Sequence, residues 1–176
     1  MSGAPYISAE DSALLRRVAE KRSGRACLEM GAGNGGTLKA VAASFAIAVG
    51  TDIRRPGMSD WRDAGADYVL ADRATCFRPG TFDLVLFNPP YVPSEAVEDA
   101  AVDAGPGAEV PMAFLSEALR AAGGDGTVLM VLEEEDEGKA REACLGSGFE
   151  LARVSEERMF FETLVVCEAR KAPLSG

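Results

Sequence analysis

Four consecutive residues, Asn88-Pro89-Pro90-Tyr91, combine a side-chain amide, a carbonyl kept out of helical geometry and an aromatic ring. Neither proline can donate to a sheet ladder, so the apolar run 82–87 before them must end there as a strand. Asn88 precedes a proline, which confines its backbone to the extended region and holds its amide in a restricted direction. The set is a grip for a flat NH2 group. The Asn88 side-chain oxygen and the Pro89 carbonyl accept its two N–H hydrogens, and Tyr91 stacks on its plane. Transfer of a group to such a nitrogen by in-line displacement asks the protein mainly to position the acceptor. The two hydrogen bonds also favour the positive charge that develops on nitrogen. No strong base is needed, because the nitrogen becomes more acidic as the new bond forms. The chain contains no histidine, which excludes Ser-His and Cys-His nucleophile mechanisms and the commonest general base.

A second constellation precedes this one. Gly31-x-Gly33-x-x-Gly36 follows a short apolar run, 26–30, and opens a helical pattern, where a nucleotide-binding turn belongs. NAD, FAD and S-adenosylmethionine sites all use such a turn, so the acids around it decide. Asp52 ends the next apolar run, where a carboxylate accepts from ribose hydroxyls. Glu29, beside the turn, would repel a pyrophosphate but suit the ammonium and sulfonium of S-adenosylmethionine. Asp72 follows a third run and can accept from an adenine amino group. The three acids are expected in register at strand ends.

These residues need a scaffold. The pattern predicts a helix over 8–22 with Ser8 as N-cap, strands over 26–30 and 46–50, and a helix over 37–44. Residues 56–64 read as a short helix or loop, 67–70 as a third strand and 82–87 as a fourth. Proline, glycine and acids make 92–108 a mobile substrate loop. A helix over 109–122, a strand over 127–132, a helix over 133–145 and two strands over 149–154 and 160–167 complete the chain. Alternating strands and helices predict a Rossmann-like α/β fold: seven strands, mostly parallel, helices on both faces, and an antiparallel terminal hairpin. The expectation is one domain over 1–176, with 1–24 as an amino-terminal helix segment.

Composition narrows the function. Eighteen basic against 28 acidic residues give a net charge of -10, which argues against direct binding of a nucleic acid duplex. Cys27, Cys76, Cys144 and Cys167 show no Cys-x-x-Cys spacing and read as reduced thiols, with no metal site expected. No apolar run reaches membrane-span length and the first residues lack signal-peptide character, so the expected location is cytoplasmic. The acidic run 133–137 reads as a solvated first helical turn.

Taken with their order, these motifs resemble class I S-adenosylmethionine-dependent methyltransferases, in particular the HemK-like glutamine methyltransferases of release factors. Ala9-Glu10-Asp11-Ser12 is similar to the family's amino-terminal Pro-Ala-Glu-Asp-Thr segment, with Ser8 for the proline and Ser12 for the threonine. Cys27-Leu28-Glu29-Met30-Gly31-Ala32-Gly33 resembles the cofactor motif, Thr51-Asp52 the ribose acid and Ala71-Asp72 the adenine contact. Residues 87–92 match the signature loop, Ala104-Gly105-Pro106-Gly107 the stretch after it, and Phe161-Glu162-Thr163-Leu164 a near-terminal Glu-Thr-Leu. The resemblance implies Ser12, Glu29, Gly31, Gly33, Asp52, Asp72 and Asn88 as S-adenosylmethionine contacts, and Asn88, Pro89 and Tyr91 as the substrate grip. About 28 residues precede the turn, too few for the bacterial type's substrate-binding domain. The compact eukaryotic and archaeal branch is implied instead. That branch methylates the glutamine of the Gly-Gly-Gln motif in class I release factors, with lysine methylation assigned to some members. It commonly works with a small zinc-binding activator subunit.

Other readings are an amino-methyltransferase acting on adenine or guanine in nucleic acid, a non-catalytic cofactor-binding scaffold, and a nicotinamide oxidoreductase. The last leaves Asn88 unexplained.

Overall fold

The computed structural model describes residues 9–55, 61, 65–90, 92–93, 103–105, 109–158 and 163–173. Its centre is a seven-stranded sheet: β1 (Gly24–Met30), β2 (Phe45–Asp52), β3 (Asp67–Leu70), β4 (Phe82–Phe87), β5 (Ala122–Glu133), β6 (Phe149–Arg158) and β7 (Thr163–Lys171). The order across it is β3-β2-β1-β4-β5-β7-β6. The first five run parallel, and β7 is antiparallel to both β5 and β6. This is the Rossmann-like fold that the alternating pattern predicts. The terminal hairpin is there, but its second strand folds back inside its first.

Both faces of the sheet are covered, so its strands are apolar at consecutive positions rather than at alternate ones. One face packs Leu28, Met30, Val85, Phe87, Val128 and Met130 against α3 (Glu109–Ala121) and α4 (Glu137–Gly146). The other packs Cys27, Leu84, Leu86, Leu129 and Val131 against α1 (Ala9–Ala19) and α2 (Gly36–Val41). Alternation with a period of two sends neighbours to opposite cores.

Several boundaries differ from expectation, each for a local reason. The first helix spans Ala9–Ala19 rather than 8–22, and the Ser8 cap lies outside the described residues. The helix expected over 37–44 divides into α2 and a 3-10 turn, Ala42–Ser44. β5 starts at Ala122, because the register with β4 jumps from Phe82–Ala122 to Leu84–Thr127 and takes up 123–126 as a bulge. Within the expected loop 92–108, Val92–Pro93 and Asp103–Gly105 form a small parallel pair, and the rest of the loop lies outside the described residues. The acidic run is not simply solvated. Glu134–Asp136 forms a 3-10 turn, Glu134 and Glu137 pair with Arg153, and Asp136 pairs with Lys139.

All four cysteines are free, three of them buried and Cys76 exposed. Among the described residues no cluster of histidine, cysteine and acidic side chains could hold a metal, and no helix is long and apolar enough to cross a membrane.

Candidate functional site

The strand order reverses between β1 and β4, and in open α/β sheets the carboxyl ends of the strands at such a point flank the ligand crevice. Met30 is paired with Phe87, so Gly31 and Asn88 leave the sheet side by side, about 5 Å apart at ordinary strand spacing. Two motifs far apart in sequence are thereby brought to one place. Pro89 is buried and Pro90 half-buried behind Asn88, while Tyr91 lies outside the described residues.

Asn88 carries a specific signal. Its side-chain oxygen is buried and has no hydrogen-bond partner among the described residues. A buried orphan acceptor costs about 1–3 kcal/mol, so it marks a place where a donor from outside is expected. Thr51 Oγ1, at the end of β2, is also buried without a partner.

The glycine turn is built by backbone geometry. Gly31, Gly33 and Gly35 all have positive φ, +67°, +51° and +73°. A Cβ on Gly33 would meet nothing within 4 Å, so the turn presents open space on that side. The turn leads into α2, whose first N–H, at Gly36, donates to Asn34 Oδ1 at 3.1 Å. On the other side of the crevice Phe114 of α3 stands against both motifs. Its ring lies 5.9 Å from that of Phe87 and 3.4 Å from where a Gly31 Cβ would be.

The acids are not in register. Glu29 is paired with Gly50, two residues before Asp52, and Asp52 with Leu70, two residues before Asp72. Each acid therefore lies two residues beyond the level of its neighbour: Glu29 one residue before the end of β1, Asp52 at the end of β2 and Asp72 two residues past the end of β3. Their roles separate accordingly. Asp52 is half-buried and accepts from Gly33 N–H at 3.0 Å and from Arg54 N–H at 2.9 Å, tying the turn to β2. Glu29 is buried, at 6% exposure, and accepts from Leu38 N–H at 2.9 Å, fastening α2 to β1. Burial pushes its carboxyl up to about 8, against hydrogen bonds from Leu38 and Thr37, with the nearby Asp52 charge adding to the rise. Asp72 is exposed and held by Arg73 at 2.7 Å, and Arg73 itself has a φ of 49°. Ser12 is half-buried on α1, which packs against α2.

Two further residues frame the site. Trp61 donates from Nε1 to the Gly33 carbonyl at 3.1 Å. Arg120 of α3 donates to the carbonyls of Ala74 at 2.7 Å and Phe77 at 2.9 Å, holding the turn after β3. Sequence reasoning missed both. The signal for Trp61 was available: it is the chain's sole tryptophan, shortly after Asp52 and within reach of a strand that carries Gly50. An open groove of about 460 Å³ between α1 and β6, lined by Leu14, Val18, Val154 and Glu156, lies at the far edge of the sheet and touches none of these residues.

The sheet has the strand order and antiparallel seventh strand of the methyltransferase-type Rossmann fold. Solved structures of that fold align with nearly the whole chain. An Mtq2–Trm112 complex from E. cuniculi, responsible for methylation of the translation termination factor eRF1, is 22% identical over 95% of this chain and 98% of that one, with a TM-score of 0.77. Magnesium protoporphyrin IX methyltransferase from Synechocystis with bound SAH is 15% identical over 98% and 90%, with a TM-score of 0.67. A chain from a complex containing the Haloferax volcanii Trm112 methyltransferase activator is 15% identical over 96% of both chains, with a TM-score of 0.60. No family model and no curated protein sequence matches the chain.

Proposed function

We propose that this chain is an S-adenosylmethionine-dependent protein methyltransferase that modifies the side-chain amide of the glutamine in the Gly-Gly-Gln motif of a class I release factor. The observation that carries it is the orphaned Asn88 oxygen, buried beside the glycine turn and in need of a donor such as an amide N–H.

The residues present fit the cofactor. Gly33 leaves open space, and the half-buried Asp52 carboxylate can accept from ribose hydroxyls and offers negative charge to an ammonium and a sulfonium. When bound, S-adenosylmethionine would supply an electrophilic methyl group. Asn88 Oδ1 accepts one N–H of the substrate amide and the Pro89 carbonyl the other, fixing the plane of the group. Those two acceptors also stabilise the charge that grows on nitrogen. Phe114, packed on the buried Phe87 and close to Gly31, puts a half-buried apolar ring beside the turn, which strengthens polar contacts made there. The histidine-free chain suits a reaction whose proton leaves to water after transfer.

A small zinc-binding activator is the proposed partner, working in the cytoplasm. The support on this chain is its β3 edge. Leu70 on β3 is 55% exposed, and Ile47 and Ile53, on and just after β2, are 50% and 53% exposed. A strand edge unpaired among the described residues, beside bare apolar side chains, is the kind of surface that another chain covers. The net charge of -10 and the amide-sized grip favour a protein acceptor over nucleic acid or lysine.

The test is methyl transfer from radiolabelled S-adenosylmethionine, with activator present, to a release factor carrying Gly-Gly-Gln or Gly-Gly-Ala. Label is expected on the first alone. Asn88→Ala is expected to lower kcat by about 10²–10³, as removal of one preorganised polar contact does. Label on RNA or DNA and none on protein would overturn the reading.

A further inference from the structure

Trp61 sits on the glycine turn in a way that the reaction chemistry alone does not call for. Its Nε1–H donates to the Gly33 carbonyl at 3.1 Å, while the N–H of the same Gly33 donates to Asp52 Oδ2 at 3.0 Å. Gly33 is held at both ends of its residue, by groups from two different segments. The indole also fills a notch that only glycines can form. A Cβ on Gly50 would lie 2.4 Å from the ring, and one on Gly35 would lie 2.9 Å from it. Both distances are well below van der Waals contact. The ring in turn meets Tyr68 of β3, with centroids 5.1 Å apart at 60°. The Tyr68 hydroxyl donates to the carbonyl of Asp52 at 3.2 Å and to that of Arg54.

These contacts close a circuit: Gly33 to Asp52, Asp52 to Tyr68, Tyr68 to Trp61, and Trp61 back to Gly33. Glycine at 33 would otherwise be the freest point of the turn, with φ at +51° and nothing opposite its α-carbon. The circuit removes that freedom where a ligand must meet a preorganised surface.

We propose that Trp61 is a positioning residue of the cofactor site, acting through Gly33 to preset the glycine turn. The inference rests on the reading of that turn as the S-adenosylmethionine site. Trp61 touches the turn rather than the reacting atoms, so its contribution falls on cofactor affinity and not on the transfer step. Being the chain's sole tryptophan, it also reports on the turn through its own emission.

Trp61→Phe keeps an aromatic filler but lacks the N–H donor. In the enzyme with its activator, this variant is expected to bind S-adenosylhomocysteine about fivefold more weakly by calorimetry, the size of one neutral hydrogen bond. The loss should appear in KM for the cofactor, with kcat far less affected. In the unmutated chain, S-adenosylhomocysteine should change the Trp61 emission saturably, with the midpoint that calorimetry gives. An activator subunit with tryptophans of its own is used with those replaced. The fluorescence arm needs no variant, so it stands even where Trp61→Phe folds poorly. Wild-type affinity in Trp61→Phe, or an emission blind to saturating ligand, overturns the inference while leaving the cofactor reading intact. No binding of S-adenosylhomocysteine by the unmutated protein overturns both.

Discussion

Glu29→Gln isolates the electrostatics of the crevice. Glutamine keeps the shape of the side chain, and its carbonyl oxygen can still accept from Leu38 N–H, but it cannot ionise. In the folded protein burial raises the Glu29 carboxyl from 4.5 to about 8. Between these values the unfolded chain releases its proton while the folded chain keeps it. The folded state therefore binds more protons, and stability falls as pH rises through this window. At ~1.4 kcal/mol per pH unit, and allowing for partial ionisation of each state at the limits, Glu29 alone removes about 3–4 kcal/mol between pH 5 and pH 8. The other carboxylates of the chain titrate too, so the informative quantity is the difference between the two proteins. Urea unfolding from pH 5 to pH 8 should show Glu29→Gln gaining on the unmutated chain by about that amount, with equal m-values. Two stability curves that stay parallel across the range would refute a buried, proton-holding Glu29.

Two more outcomes are expected. Asp52→Asn leaves one acceptor where two backbone N–H groups, from Gly33 and Arg54, now each have an oxygen. Its affinity for S-adenosylhomocysteine should drop by about 10- to 100-fold, the range for charge-assisted hydrogen bonds, and an unchanged calorimetric Kd would remove Asp52 from the site. Leu129→Ala empties a fully buried position on the α1–α2 face of β5. It should cost about 2–5 kcal/mol in denaturant unfolding, and a loss below about 1 kcal/mol would mean that this face is not close-packed.

Much of the scaffold was legible because local signals were strong. The strand before Asn88 has the predicted bounds, since two prolines fix its end and an unbroken apolar run fixes its body. The place of the glycine turn after β1 was equally plain. What sequence did not disclose depends on pairing. The two-residue step between Glu29, Asp52 and Asp72 arises from strand register, which no single run encodes. Glu29 reads as a ligand contact in isolation, yet its carboxylate is engaged by α2, a fact set by how that helix docks. Trp61 was passed over because its partners, Gly33, Gly35, Gly50 and Tyr68, are scattered over the chain and meet only in the fold. The bulge before Thr127 was hidden because its glycines also satisfy the reading of a helix end.

The insertion of β7 between β5 and β6 bears on how the protein is made. A ribosome delivers β6 before β7, the one strand it pairs with among the described residues, and β5 must wait for the same partner along its outer edge. A nascent chain that has reached residue 158 already contains the glycine turn, the three acids and Asn88, but it offers β5 as an unpaired template lined by Val128, Met130 and Val131. Such an edge invites pairing with a stranger. The interval between synthesis of the last residue of the proposed grip and closure of the sheet thus leaves the chain exposed, and a nonsense mutation near residue 160 would make that state permanent, removing β7 without removing one residue of the proposed site.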